Sequence, residues 1–250
     1  MPIGLEQMRT NRILAGLPVE ERDLIVSSLE INELYLGDVI ANAGKPIQRL
    51  YFPLDSAISI VNDQEKPNDK RIVEVTVIGK EGCSGATVVQ GSDTSPSVAL
   101  VQIGGTAIGM PTSSITRHPA RVPYLWKALS RYSLLLYRHS VISVGCSQFH
   151  SPSERAARWL KSHWHRTGLE TFPFTTAFFA AQVGLNEKTV AEVLDEFERR
   201  GILELEPKKI TISNQESLTR QSCQCFELTK EATDEYLVAL TELARSYGSS

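Results

Sequence analysis

At 250 residues, with 42 % hydrophobic and 22 % charged side chains, the chain has apolar material for one large or two ordinary globular domains. No apolar run reaches the ~20 residues of a membrane helix, and Met1-Pro2-Ile3-Gly4-Leu5-Glu6 lacks the basic start and apolar stretch of a signal peptide, so a cytoplasmic protein without a membrane partner is expected. A net charge of −3 excludes a broadly basic nucleic-acid binder: residues 1–150 carry 14 basic and 14 acidic side chains, residues 151–250 carry 12 and 15.

Taken in order, Asn11 to Leu29 reads as an entry helix or helix pair broken at Pro18, with Leu14, Leu17, Leu24, Ile25 and Leu29 as its apolar face. From Ile31 to Thr112 the texture changes to short β-branched runs separated by turns: 33–36, 39–40, 49–52, 57–61, 72–78, 98–103 and 105–110. Strands of this length and spacing predict a barrel or jelly roll. Asn62 to Lys70, polar and holding Pro67, reads as a hairpin tip.

From Arg121 to Phe149 a helical pattern returns, with Leu125, Leu129, Tyr132, Leu136, His139, Ile142 or Ser143, and Cys146 at spacings of three and four. A near-heptad stripe of this kind buries either against its own domain or against a second copy. Ser151-Pro152-Ser153-Glu154 reads as a hinge, with Ser153 as the cap of the helix that follows.

Phe174 to Ile212 carries the most specific pattern. Thr175 or Thr176 caps a short helix over Ala177 to Gln182, Val183-Gly184 ends it, and Asn186 caps a second helix from Glu187 to about Arg200. Val190, Val193, Leu194 and Phe197 form the inward face of that second helix. Residues 202–205 and 209–212 then alternate as two strands about Pro207-Lys208. Two helices, a Gly turn and a β hairpin make a winged helix-turn-helix, the motif that lays its second helix in the DNA major groove.

Phe174-Thr175-Thr176-Ala177-Phe178-Phe179-Ala180-Ala181-Gln182-Val183-Gly184-Leu185 resembles the first helix and turn of the CRP/FNR family of bacterial transcription regulators, and Thr189-Val190 and Arg200-Gly201-Ile202-Leu203 sit where that family has similar residues. The segment order matches over nearly the whole chain, including the Ala43-Gly44-Lys45-Pro46 turn and Leu50-Tyr51-Phe52. The resemblance implies an α+β protein: an N-terminal β-roll (jelly roll) sensor domain at 1–120, a dimerisation helix at 121–150, and a winged helix-turn-helix domain with an acidic tail at 151–250. It further implies a homodimer seamed by Leu125, Leu129, Tyr132, Leu136 and Ile142. Double-stranded DNA is the implied partner, with RNA polymerase as another and a small-molecule effector of unknown identity.

The resemblance also supplies tests. Cyclic-nucleotide members present a Gly-Glu pair to the ribose and an Arg-Ser pair to the phosphate; here the matching positions are Gly85-Ala86 and Pro96-Ser97. Ala86 cannot accept a ribose hydroxyl and Pro96 carries no charge, so no cyclic nucleotide is expected. Cys83, Cys146, Cys223 and Cys225 read as isolated thiols: Cys223 and Cys225 leave one residue between them, where a zinc pair leaves two or more, and no cysteine precedes Cys83 to hold an iron-sulfur cluster. His163 and His165 point to different faces of a helix and cannot chelate together. No metal or cofactor is therefore expected. Gly82-Cys83-Ser84-Gly85 falls one residue short of a nucleophile elbow, and no enzyme signature appears.

In the second helix, the positions that face bases in the family correspond to Asn186, Glu187, Lys188, Thr189 and Glu192. Typical members place Arg there; Glu can accept from cytosine N4 but repels phosphate. Thr175, Arg199, Arg200, Lys208 and Lys209, with Lys188, Arg155 and Arg158 beside them, are the candidates for phosphate contact. The expectation is a DNA-binding regulator. Its competitor, favoured by the acidic positions, is a degenerate sensor or protein-interaction module that has lost DNA.

Overall fold

Asn11 sets the entry segment. In the computed structural model, which describes residues 3–63 and 72–248, its side chain is fully buried. Its amide donates to the carbonyls of Pro53 (3.1 Å) and Gly82 (2.9 Å), and its oxygen accepts from the Ile13 and Leu14 amides. That capacity ends α1 (Leu5–Thr10), a helix ahead of the expected segment, and caps α2 (Arg12–Ala15); after the expected break at Pro18 comes α3 (Val19–Ile25). Leu14, Leu17, Ile25 and Leu29 turn inward as expected, while Leu24 is exposed.

The strands follow: β1 (Glu30–Leu34), β2 (Val39–Ala41), β3 (Arg49–Pro53), β4 (Ala57–Asp63), β5 (Ile72–Ile78), β6 (Val98–Ile103) and β7 (Gly105–Pro111). They pair as one sheet in the order β1-β7-β3 and another in the order β2-β6-β4-β5. Leu50 and Phe52 of β3, Ile58 of β4, Val101 of β6 and Ile108 and Met110 of β7 are buried in one core shared by both sheets. The expected β-roll is present, and the mixed α and β composition agrees with the α+β expectation. Of the expected hairpin tip, Asn62 and Asp63 end β4 and residues 64–70 lie outside the described residues.

After α4 (Ser113–Thr116) comes the long helix α5 (Pro123–Phe149). Its first free amides, on Tyr124 and Leu125, donate to the Glu21 carboxylate at 2.7 and 3.0 Å. An acidic group at a helix N-terminus is favoured there, although burial raises the Glu21 pKa above the usual carboxylate value. Leu125, Leu129 and Tyr132 are buried in their own chain's core, and Leu136 packs against it. His139 is buried too, its ring nitrogens 3.1 Å from the Thr76 hydroxyl and 3.2 Å from that of Thr233.

The remaining elements are α6 (Pro152–Thr167), β8 (Thr171–Pro173), α7 (Thr176–Val183), α8 (Glu187–Arg199), β9 (Leu203–Glu206), β10 (Lys209–Ile212), α9 (Gln215–Gln221) and α10 (Cys225–Ser246). The cap of α6 is Ser151, not Ser153: its hydroxyl accepts from the Glu154 amide while the Glu154 carboxylate accepts from the Ser151 amide, with Pro152 at the first helical position. The chain divides into two units, one of Met1–Val61, Val75–His139 and Glu231–Ser250, the other of Asn62–Glu74 and Ser140–Lys230. The division falls inside α5 rather than at residues 120 and 150, and the C-terminal segment from Glu231 on joins the first unit. There Tyr236, Leu240 and Leu243 of α10 are part of the core. A composition shift marks the tail as acidic, but it is the apolar stripe of α10 that decides where it packs.

Candidate nucleic-acid interface

The interface is built on a small core of Trp159 and Leu160 from α6, Phe179 from α7, Val190, Leu194 and Phe197 from α8, and Ile210 and Ile212 from the wing. His163 belongs to this core: its ring stacks on Trp159 and lies 4.0 Å, centroid to centroid, from Phe172. Burial holds its pKa down at about 4, and its Nδ1 has no hydrogen-bond partner. It is a packing residue, as is His165 against Phe226.

On this core sits the turn. The Thr175 hydroxyl accepts from the Phe178 amide (3.2 Å) to start α7, and Gly184 ends it with φ of +62°. A side chain at Gly184 would be strained in that conformation and would also meet Val73. Arg155, expected on phosphate, is used differently: its guanidinium donates to the carbonyls of Val183 (2.5 Å) and Gly184 (3.4 Å), a cation against the C-terminal end of α7. Asn186 caps α8 by accepting from the Thr189 amide at 2.8 Å, so its oxygen is committed to the backbone.

Beyond those caps, α8 offers Glu187, Lys188 and Glu192 to solvent, with Thr189 half-buried. Among the described residues the side chains of Lys188, Arg199 and Lys208 make no hydrogen bond or ion pair, and all three residues are exposed. Two more of the expected phosphate partners are engaged. Arg200 donates to Glu196 (3.2 Å) and Gln221 (3.0 Å), and Lys209 pairs with Glu206 at 2.8 Å across the wing turn. These pairs are solvent-exposed and therefore weak. The Glu198 carboxylate accepts from the Leu205 amide (3.0 Å) and fastens α8 to the wing. Lys208 holds the wing tip with φ of +68°, the one non-glycine with positive φ among the described residues. The wing is a three-stranded sheet, β8-β10-β9, with β8 as an added edge.

The other expected sites lie elsewhere. Gly85 has φ of +87°, and a Cβ there would come within 3.0 Å of Ile47 and Leu50; Ala86 is buried in the first unit's core. Pro96 is exposed and Ser97 half-buried just before β6, with the Ser97 carbonyl accepting from the Ser95 hydroxyl. The seam expected at Leu125, Leu129, Tyr132, Leu136 and Ile142 is corrected: the first four pack in the first unit's core and Ile142 packs on Cys146. Besides Phe149 at its last position, the large apolar residues that α5 leaves open are Leu134 (61 % exposed), Tyr137 (65 %), Val141 (54 %) and Val144 (64 %). Their spacing of three, four and three was legible in the sequence, but spacing alone does not say which of two stripes turns inward. The reading of isolated thiols is also corrected, since Cys146, Cys223 and Cys225 converge.

A glycine turn between two capped helices, an exposed first turn on the second and a β wing define a winged helix-turn-helix protein. Residues 154–221 match the family model of the Crp-like helix-turn-helix domain. Three similar solved structures are a protein described as a CRP/FNR-family transcriptional regulator from Eubacterium rectale, FixK2 from Bradyrhizobium japonicum, and the c-di-GMP responsive global regulator CLP of Xanthomonas campestris. The first is 15 % identical, with TM-score 0.69 over 85 % of this chain and 98 % of its own. The second is 15 % identical, with TM-score 0.63 over 78 % and 98 %; the third is 16 % identical, with TM-score 0.59 over 78 % and 97 %. No curated protein matches the sequence. Residues 154–221 thus resemble the Crp-like helix-turn-helix domain, and the fold of the chain is similar to that of these solved CRP/FNR-type structures. Among the described residues no helix is long and apolar enough to cross a membrane.

Proposed function

We propose that the protein is a cytoplasmic, homodimeric transcription regulator that binds double-stranded DNA through α8 and the wing. The observation that carries the reading is the first turn of α8: both helices are capped by side chains, and Lys188 projects from the exposed face with Arg199 and Lys208 free of internal partners. Phosphate contacts from Lys188, Arg199, Lys208 and the Thr175 hydroxyl would set the position. Glu187, Lys188 and Glu192 would read base edges, with Glu accepting from cytosine N4. So few cations give one subunit little affinity, which is why two subunits are needed. Leu134, Tyr137, Val141 and Val144 supply the apolar seam for the second copy. RNA polymerase is the further partner for such a regulator.

The β-roll is proposed as a sensor of an effector other than a cyclic nucleotide. Gly85 packs against Ile47 and Leu50, Ala86 is a buried methyl, and Pro96 offers no charge to a phosphate. Calorimetry with cyclic AMP and cyclic GMP is expected to show no binding at micromolar concentration, and micromolar affinity for either would overturn this part.

Glu187 and Glu192 favour a second reading, a fold kept for protein interaction after DNA contact was lost. Selection from a random duplex pool by the purified protein separates the two: enriched sequences support the regulator, and no retained DNA at low salt supports the interaction module.

A further inference from the structure

Three cysteines from distant parts of the chain meet in the second unit. Cys146 comes from the last turns of α5, Cys223 from the connection after α9, and Cys225 from the first turn of α10. Their sulfurs all lie within 4.8 Å of one another, and those of Cys146 and Cys223 are 3.6 Å apart. All three are buried, and Ile142 packs over them. Cys83, in the first unit, is apart from the group and donates to the Ser84 carbonyl.

We propose that Cys146, Cys223 and Cys225 form a trithiolate site for one thiophilic metal ion, with Cu(I) as the ion it fits best. Three thiolates about 2.3 Å from a central ion stand roughly 3.7–4.0 Å from one another. The sulfurs are already within an ångström of that arrangement, without a change of fold. Soft sulfur donors select soft ions such as Cu(I) and zinc. Among the described residues no histidine, carboxylate or fourth cysteine joins the group. Structural zinc is almost always four-coordinate, whereas three sulfurs complete a trigonal monovalent ion.

Charge points the same way. Three thiolates and a monovalent ion leave two negative charges in a buried place, where such charge must be matched. Arg155 and Arg158 both interact electrostatically with Cys146. Arg158 also buries an Nε with no hydrogen-bond partner. Three neutral thiols leave that donor unsatisfied; an anionic cluster beside it would offer an acceptor. An ion held here would tie the first turn of α10 to the end of α5.

The test uses the full-length protein, reduced and metal-free, titrated with Cu(I) and separately with Zn(II) against chromophoric chelators. The expected result is one Cu(I) per chain, not displaced by zinc. X-ray absorption on the wild-type complex should show three sulfur neighbours. Cys146→Ser, Cys223→Ser and Cys225→Ser should each weaken Cu(I) binding at least tenfold, with circular dichroism confirming that each folds, and Cys83→Ser should leave it unchanged. Absence of a stoichiometric complex, full retention in any of the three variants, zinc displacing Cu(I), or fewer than three sulfurs in the wild-type spectrum would overturn the proposal. None of these outcomes depends on DNA binding.

Discussion

Lys208 separates stability from binding at a single position. Its positive φ costs an L-residue about 1–2 kcal/mol that glycine escapes, and the greater freedom of glycine in the unfolded chain returns part of that gain. Lys208→Gly should therefore stabilise the domain by about 0.5–1 kcal/mol in denaturant titrations. At the same time it should weaken binding to all DNA sequences alike and shallow the salt slope by about one unit for each lost phosphate contact. Loss of stability together with unchanged DNA affinity would remove Lys208 from the interface. His163 makes a second prediction at this scale. With its folded pKa lowered from 6.5 to about 4, the folded state binds fewer protons than the unfolded chain between those values. Stability is then fully present above pH 6.5 and is lost as pH falls towards 4, by about 3 kcal/mol at most. His163→Phe keeps the ring against Trp159 and Phe172 and should flatten that part of the stability profile; an unaltered slope would contradict it.

At the scale of elements, the caps and turns were the most legible features, because they are settled within four residues. Thr175, Asn186 and Gly184 act where local chemistry places them, and the strands of the roll begin and end within a few residues of their alternating patterns. The long helix was legible as a helix but not as a surface. It carries two stripes at heptad-like spacing, and only the β-roll and the α10 stripe determine which is buried. The predictions follow the corrected face. Leu134→Lys with Val141→Lys should turn a sedimenting dimer into a folded monomer at micromolar concentration. Leu129→Ala, in a fully buried position, should instead cost about 2–5 kcal/mol of stability and leave the association state of the folded protein unchanged. A wild type that sediments as a monomer would refute the seam altogether.

For the whole molecule, the order of roll, long helix, turn and wing was legible because each piece has its own period. Relations between distant residues were not. Cys146 and Cys223 stand 77 residues apart, and nothing in their local sequence shows that they meet. The return of α10 to the first unit is likewise a matter of packing. The acidic character of α8 was visible from the start, and its consequence is decided only by DNA. The most direct measurement is selection of bound duplexes by wild type and Glu192→Arg from one random pool at low salt. Wild type should enrich an inverted repeat with half-sites one helical turn apart or a multiple of it. Glu192→Arg should bind the pool more tightly and change the preferred base at one position in each half-site. Failure of both proteins to retain any duplex would contradict the account.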